Sequence, residues 1–210
     1  MTKISLLLMT LIFTCHVQAQ DQTIKLNTPD KNRGTAIMKV FNERHSEREY
    51  ATEKLKAQDL SDLLWAANGI NRTDGKRTAP SCRDFREVKV YVILPEGAYL
   101  YDEKAHVLNL LTAGDHRGAV AGGQDFVKKA PLSIVLAADM TPFGNMSESS
   151  KLMAAVDVGL VCQNINMACA GLGLATVPRA SMDHAALKKA LKLKDTDLLL
   201  MNNPVGYPKK

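Results

Sequence analysis

Apolar residues recur at two different spacings along this 210-residue chain, and the spacing predicts where helices and strands lie. Spacings of three and four residues predict helices over about 35–44, 57–68 and 183–191, and a Gly-rich stretch predicts a short helix over 117–129. Thr35 is a candidate N-cap of the first helix, and Gly69 stands where the second helix would end. Short apolar runs predict strands at 88–94, 98–101, 107–111, 132–137, 174–177 and 198–201.

The longest predicted helix runs from Ser147, a candidate N-cap, to Gly171. It is apolar around most of its circumference, so we expect it to be buried, either at the centre of a domain or across a subunit interface. Asp157 and further polar residues interrupt it, which argues against a membrane span. The chain has no internal repeat or interior linker. The pattern therefore predicts a single α+β domain over 20–210, with helices flanking a central, largely antiparallel sheet.

The N-terminus follows a pattern of its own. A charged start is followed by an apolar run, 4–13, and by small residues that end at Ala19. This predicts a signal peptide over 1–19 and an exported, periplasmic protein, with a buried N-terminal helix as the alternative. The run is too short for a membrane span, which needs about 20 residues. A lipid anchor at Cys15 is not favoured, because the residues before it match the lipidation motif poorly.

Composition and charge exclude several classes of protein. With 46% hydrophobic and 23% charged residues, the chain is typical of a globular domain rather than a disordered one. The net charge of +5 is not gathered into one basic run, so it suits anionic small molecules better than nucleic acid. Cys162 and Cys169 are seven residues apart on a predicted helix, too far for a disulfide, and we expect them to be buried thiols. The scattered histidines predict no metal site.

Three polar or small-residue segments carry candidate chemistry. The segment 44–48 places two arginines around a serine, and guanidinium groups match a phosphate or the anionic edge of a ring. The loop 77–86 brings hydroxyl, thiol, carboxylate and guanidinium groups to the start of a strand. In the segment 159–180, small residues would let the backbone approach a flat ligand closely. Each segment alone is more commonly a solvated turn, a polar loop or ordinary core packing.

Taken in order, these segments resemble the nitroreductase family of flavin enzymes over nearly the whole mature chain. Residues 44–50, Arg-His-Ser-Glu-Arg-Glu-Tyr, are similar to the family's opening R-x-S-x-R-x-F/Y motif, and 63–72 to its second-helix signature. Residues 78–81 match its loop on the ribityl side of the flavin. Residues 163–178 look like its central helix and flavin-facing strand, and 204–209 like its C-terminal G-F/Y-P segment.

The resemblance implies an FMN-binding homodimer with two sites at the subunit interface, where the long helix would be buried. Arg44, His45 and Ser46 would hold the phosphate and the ribityl chain, and Lys209 would add charge at the phosphate. Arg48 would lie at the pyrimidine edge, where a cation stabilises reduced flavin.

Further implied contacts come from a loop of the other subunit, from backbone facing flavin N5, and from one glutamine. The loop of the other subunit would contribute Ser81, Cys82, Asp84 and Arg86. The backbone that faces N5 would be that of Pro178, Ala180 and Ser181, and the glutamine is Gln124. The chain departs from the family at Asp84, where an asparagine is usual, and at Arg86, where a glutamine is usual and which we expect to pair with Asp84. Arg179 belongs to a segment that is usually smaller.

The activity that the resemblance implies is ping-pong transfer of hydride from NAD(P)H through flavin N5 to a nitroaromatic or quinone. Because the cofactor carries the difficult step, no catalytic side chain is predicted. Two alternatives remain open. One is an exported flavin-binding or electron-transfer module with little NAD(P)H turnover, and the other is a flavin dehydrogenase that acts on a peptide or heterocycle.

Overall fold

An antiparallel sheet of seven strands runs through the part of the chain that the structure, a computed structural model, describes, residues 23–209. The predicted signal peptide over 1–19 and Cys15 lie outside the described residues. Along the sheet the strands follow the order β1-β4-β3-β2-β5-β7-β6. They are β1 (Thr23–Lys25), β2 (Val88–Leu94), β3 (Gly97–Asp102), β4 (Val107–Ala113), β5 (Leu132–Asp139), β6 (Ala175–Thr176) and β7 (Asp197–Gly206).

Helices cover both faces of this sheet, which confirms the predicted α+β fold. They are α1 (Ile37–Glu43), α2 (Ala57–Asn68), α3 (Arg117–Ala121), α4 (Phe126–Lys129), α5 (Glu148–Leu172) and α6 (His184–Ala190). Successive side chains of a strand point to opposite faces, so one strand serves two cores. In β2, Val90 and Val92 pack with α2 and α5, whereas Tyr91 and Ile93 pack with α3, α4 and α6.

Most predicted elements are confirmed, with differences at their ends. Helix α2 and strand β2 have the predicted bounds, and the Ser147 hydroxyl caps α5 by accepting from the Ser150 N–H at 3.2 Å. Thr35 is not the cap of α1, because its hydroxyl donates to the Gly171 carbonyl oxygen instead (3.4 Å). The helix predicted over 117–129 is broken into α3 and α4 by two left-handed glycines, Gly122 and Gly123.

Helix α5 is buried on one side only within this chain. Cys162 and Cys169 lie in the core as unpaired thiols, as predicted. The opposite side exposes Leu152 (65% exposed) and Val156 (47%), which a buried helix would not do. By length and composition α5 would suit a membrane span, but the core helix of a soluble protein meets the same criterion. Here α5 packs against α2 and the sheet.

The break between α3 and α4 predicts unequal effects of two neighbouring substitutions. Both Gly122→Ala and Gly123→Ala place a side chain on left-handed backbone, at a cost of about 1–2 kcal/mol. At Gly122 the new Cβ would also lie 2.8 Å from the Met182 Cα, whereas at Gly123 it meets no atom within 4 Å. We expect Gly122→Ala to lower the free energy of unfolding by about 1–3 kcal/mol more than Gly123→Ala, measured by urea denaturation. Equal losses would contradict this account.

Candidate functional site

The basic segment 44–50 is mostly exposed up to Glu49 and buried at Tyr50, and two backbone hydrogen bonds fix it at Glu47 and Glu49. The Glu47 N–H donates to the Thr176 carbonyl oxygen of β6 at 2.9 Å. The Lys209 N–H donates to the Glu49 carbonyl oxygen at 3.3 Å. The structure therefore brings Arg48 and Glu49, at the end of this segment, together with Lys209, although they are far apart in sequence.

Two cavities of ligand size flank this segment. One, of about 350 Å³, is lined by His45 and Glu47 together with the end of α5 and β6. The other, of about 670 Å³, is lined by Phe126 and by five basic side chains. These are Arg48, Arg117, Lys128, Lys129 and Lys209. The larger cavity therefore offers a basic wall to an anionic ligand.

Of the cations that line this cavity, Arg117 and Lys128 pair with Asp115 and Asp125, whereas others have no acidic partner, as is also true of Arg44 outside the cavity. Within residues 23–209, no carboxylate lies within 4 Å of the side-chain nitrogens of Arg44, Arg48 or Lys209. Glu47 lies next to Arg48 in sequence, and its carboxylate turns back to accept the N–H groups of Arg48 (2.7 Å) and Glu49 (3.0 Å). Those two bonds hold the pKa of Glu47 below its usual value. Because the Glu47 carboxylate binds backbone N–H groups of its own turn, the guanidinium groups of Arg44 and Arg48 remain available to a ligand.

The residues predicted to face flavin N5 lie on the segment that follows β6. Ala180 and Ser181 are exposed and Pro178 is half-buried. Gln124 joins them through Arg179, whose Nε donates to the Gln124 Oε1 at 3.1 Å. The structure therefore brings Gln124 to this segment, but none of the four predicted residues lines either cavity beside the basic segment.

The loop predicted to enter the other subunit is tied to α5. The Cys82 N–H donates to the Asp157 Oδ2 at 2.7 Å, and the Arg86 N–H donates to the Ser81 Oγ at 3.0 Å. Within the described residues, no hydrogen bond, ion pair or shared cavity joins this loop to the basic segment. A single chain therefore leaves the two predicted halves of the site apart.

The same loop has an unusual backbone. Arg83, Asp84 and Arg86 adopt φ values of 49°, 56° and 55°, in the left-handed region that residues other than glycine rarely occupy. The Arg86 guanidinium grips the Asp84 carboxylate with two bonds of 2.8 and 2.6 Å, which confirms the expected pair and lowers the pKa of Asp84. The pair neutralises the carboxylate that stands where the family usually has asparagine.

Sequence reasoning missed a buried pair of carboxyl groups, those of Glu87 and Asp157, beneath this loop. Glu87 is 2% exposed and its two carboxylate oxygens have no hydrogen-bond donor among the described residues. Burial and the neighbouring Asp157 carboxyl raise the pKa of Glu87 to about 7. Nothing in the local sequence signals this, because Glu87 looks like the polar end of a loop before a strand.

Comparison with known proteins gives a consistent result. A sequence model of the nitroreductase family matches residues 42–207. A Methanocaldococcus jannaschii protein, named as a putative nitroreductase, is 29% identical over 194 residues that cover 88% of this chain and 96% of that protein. A crystal structure from Ralstonia eutropha with the same description has a TM-score of 0.83 and 34% identity, covering 90% of this chain and 91% of that one. An Anabaena variabilis structure, TM-score 0.70 and 19% identical, covers 82% of this chain and 38% of that one and shares the fold.

The buried pair predicts a pH-dependent effect on stability. Because folding raises the pKa of Glu87 from 4.5 to about 7, the native state binds the extra proton, and its stability falls as the pH rises through this range. The isosteric change Glu87→Gln removes this loss of stability at high pH, because an amide does not titrate. We expect the variant to gain ~2–3 kcal/mol more at pH 8 than at pH 5, measured by urea unfolding. The exposed Glu53→Gln should show no such difference, and an equal gain at both pH values for Glu87→Gln would refute the prediction.

Proposed function

The chain belongs to the nitroreductase family of oxidoreductases, and we propose on that basis that it is an exported, FMN-dependent NAD(P)H oxidoreductase. FMN, when bound, would supply two-electron hydride transfer in ping-pong order, from reduced nicotinamide to a nitroaromatic or quinone. The observation that carries the proposal is the basic segment 44–48, fixed next to Lys209 and beside cavities of ligand size. Export is proposed from the sequence of residues 1–19 alone.

The donor set fits FMN chemically. Arg44, His45, Ser46 and Lys209 supply cationic and hydroxyl donors for a phosphate, and those arginine and lysine charges face no carboxylate in the described chain. Charge-assisted hydrogen bonds of this kind bind phosphate strongly. Arg48 lines the larger cavity and would stabilise negative charge at the pyrimidine edge of a bound flavin.

We extend the proposal to a homodimer. Helices α1 and α5 contact each other and both expose apolar side chains, which we together call the α1–α5 face. It consists of Ile37, Met38, Phe41, Leu152, Met153, Val156 and Leu160. Large apolar side chains exposed together are typical of a protein–protein interface. A second copy seated there would lie close to the loop at Cys82, which α5 itself anchors through Asp157. This supports a site built from two chains.

The first test concerns FMN binding. We expect the purified mature chain to bind FMN, and Arg44→Ala to weaken binding about tenfold to a hundredfold by removing a charge-assisted bond. Arg72→Ala, an exposed arginine outside the proposed site, should change the dissociation constant by less than about threefold. Quenching of flavin fluorescence on titration measures both. Equal effects would contradict the assignment of Arg44.

A second measurement separates the enzyme from its leading alternative. Anaerobic mixing of the FMN-loaded protein with NADH or NADPH should bleach the visible flavin absorption band. If neither nucleotide bleaches it, the exported flavin-binding module becomes the better description. If bleaching occurs and a quinone or nitroaromatic restores the band, the proposed oxidoreductase is supported.

The dimer proposal predicts a charge-sensitive interface. Leu152→Glu puts an unpaired carboxylate into the α1–α5 face, so we expect it to weaken dimerisation at least about a hundredfold and to lower FMN content. Ala185→Glu adds the same charge to an exposed position of α6 and should leave both unchanged. Sedimentation velocity measures the mass of each variant. A Leu152→Glu protein with the mass of the wild type would argue against this interface.

A further inference from the structure

Arg179 is the least expected residue of the candidate site. It lies three residues after the end of β6, between two predicted flavin-facing residues, yet its side chain turns inward and the residue is 8% exposed. Its backbone is held by β7, since its N–H donates to the Asn202 carbonyl oxygen at 2.8 Å and its carbonyl accepts from the Asn202 N–H at 2.7 Å. The guanidinium is therefore fixed in place.

All of the hydrogen-bond acceptors around this guanidinium are neutral. They are the Gln124 Oε1 (3.1 Å), the Val120 and Ala121 carbonyl oxygens (3.1 and 2.8 Å) and the Asn202 Oδ1 (2.7 Å). In the part of the chain that the structure describes, no carboxylate lies within 4 Å of it. Neutral dipoles orient the cation but leave its net charge uncompensated.

A buried charge without a counter-charge is costly to the folded chain. Burial lowers the pKa of Arg179, but an arginine keeps its proton at neutral pH. Neutral acceptors repay only part of the lost hydration, and buried arginines are normally paired with acids. The hydrogen bonds of Arg179 could serve only to connect α3 with β7, but a neutral side chain could make such a connection. The charge itself points to an anionic ligand nearby.

The position of Arg179 fits such a ligand. Its guanidinium carbon lies 5.6 Å from the ring centroid of Phe126, and Phe126 lines the larger basic cavity. On the outer side, Gln124 and Ala180 are exposed. Since the Gln124 Oε1 already accepts from Arg179, its amide NH₂ is the part left to donate outward. Arg179 thus lies one layer beneath the surface where the flavin ring is proposed to bind.

We propose that Arg179 is a fixed, buried positive charge that makes the protein bind FMN more tightly when its flavin ring is reduced and anionic than when the ring is oxidised and neutral. This rests on the proposed function and adds to it a residue that sets the reduction potential. It differs from the proposed role of Arg48, which is exposed and screened by salt, whereas a buried charge acts at high ionic strength as well.

The main test is the midpoint potential of the FMN-loaded protein, measured by anaerobic titration against a reference dye in low and high salt. Arg179→Gln should weaken binding of reduced relative to oxidised FMN about tenfold, which lowers the potential by about 30 mV for a two-electron couple. The dissociation constant of oxidised FMN should change by less than about threefold. Lys104→Gln, which removes an exposed charge from the β3–β4 turn, should leave the potential unchanged.

A second variant covers the case in which Arg179→Gln does not fold. Gln124→Glu keeps the hydrogen bond to Arg179 and supplies the carboxylate that the site lacks, so the apoprotein should melt at a higher temperature and bound FMN should have a lower potential. An unchanged potential with a raised melting temperature would show that Arg179 is only a structural tie, and would overturn the inference. A chain that binds no FMN overturns the proposed function as well, whereas FMN binding with equal potentials overturns this inference alone.

Discussion

Helix α5 is apolar around most of its circumference, so most of its surface is stabilised by being covered. Helix α2 and the sheet cover the inner side, where Val158, Ile165 and Cys169 are fully or almost fully buried. The outer side still exposes Leu152 and Val156. The sheet and α2 thus cover the inner side of this helix, and the proposed second copy of the chain would cover the α1–α5 face.

The same helix connects the core to the site. Asp157, one residue from the exposed Val156, accepts from the Cys82 N–H and so holds the left-handed loop in place. At the far end of the helix, Asn166 accepts from the Asn203 Nδ2 at 3.0 Å, deep in β7. Polar residues that would weaken an isolated apolar helix thus fix α5 to the loop and to β7, because each has a specific hydrogen-bond partner.

Local sequence correctly predicted elements such as α2 and β2, in which the spacing of apolar residues matches the side that is buried in the fold. It failed for β7, which was predicted to end near Met201 but continues to Gly206. Asn202 and Asn203 look like turn residues, yet both are fully buried, and partners distant in sequence satisfy their side chains. The inward turn of Arg179 and the link from Cys82 to Asp157, 75 residues away, were likewise out of reach, since neither leaves a trace in local spacing. The resemblance did place Lys209 with the basic segment, and the Lys209 N–H donates to the Glu49 carbonyl oxygen.

The place of β7 in the sheet bears on how the protein folds. It is the last strand of the chain, yet it lies inside the sheet between β5 and β6, and Tyr207 just beyond it donates to the Asp59 Oδ2 of α2 at 2.5 Å. Neither the seven-stranded sheet nor the contact with α2 is complete until β7 and Tyr207 are in place. Completing the fold therefore requires contacts between residues far apart in sequence, and such contacts form slowly because closing long loops costs conformational entropy.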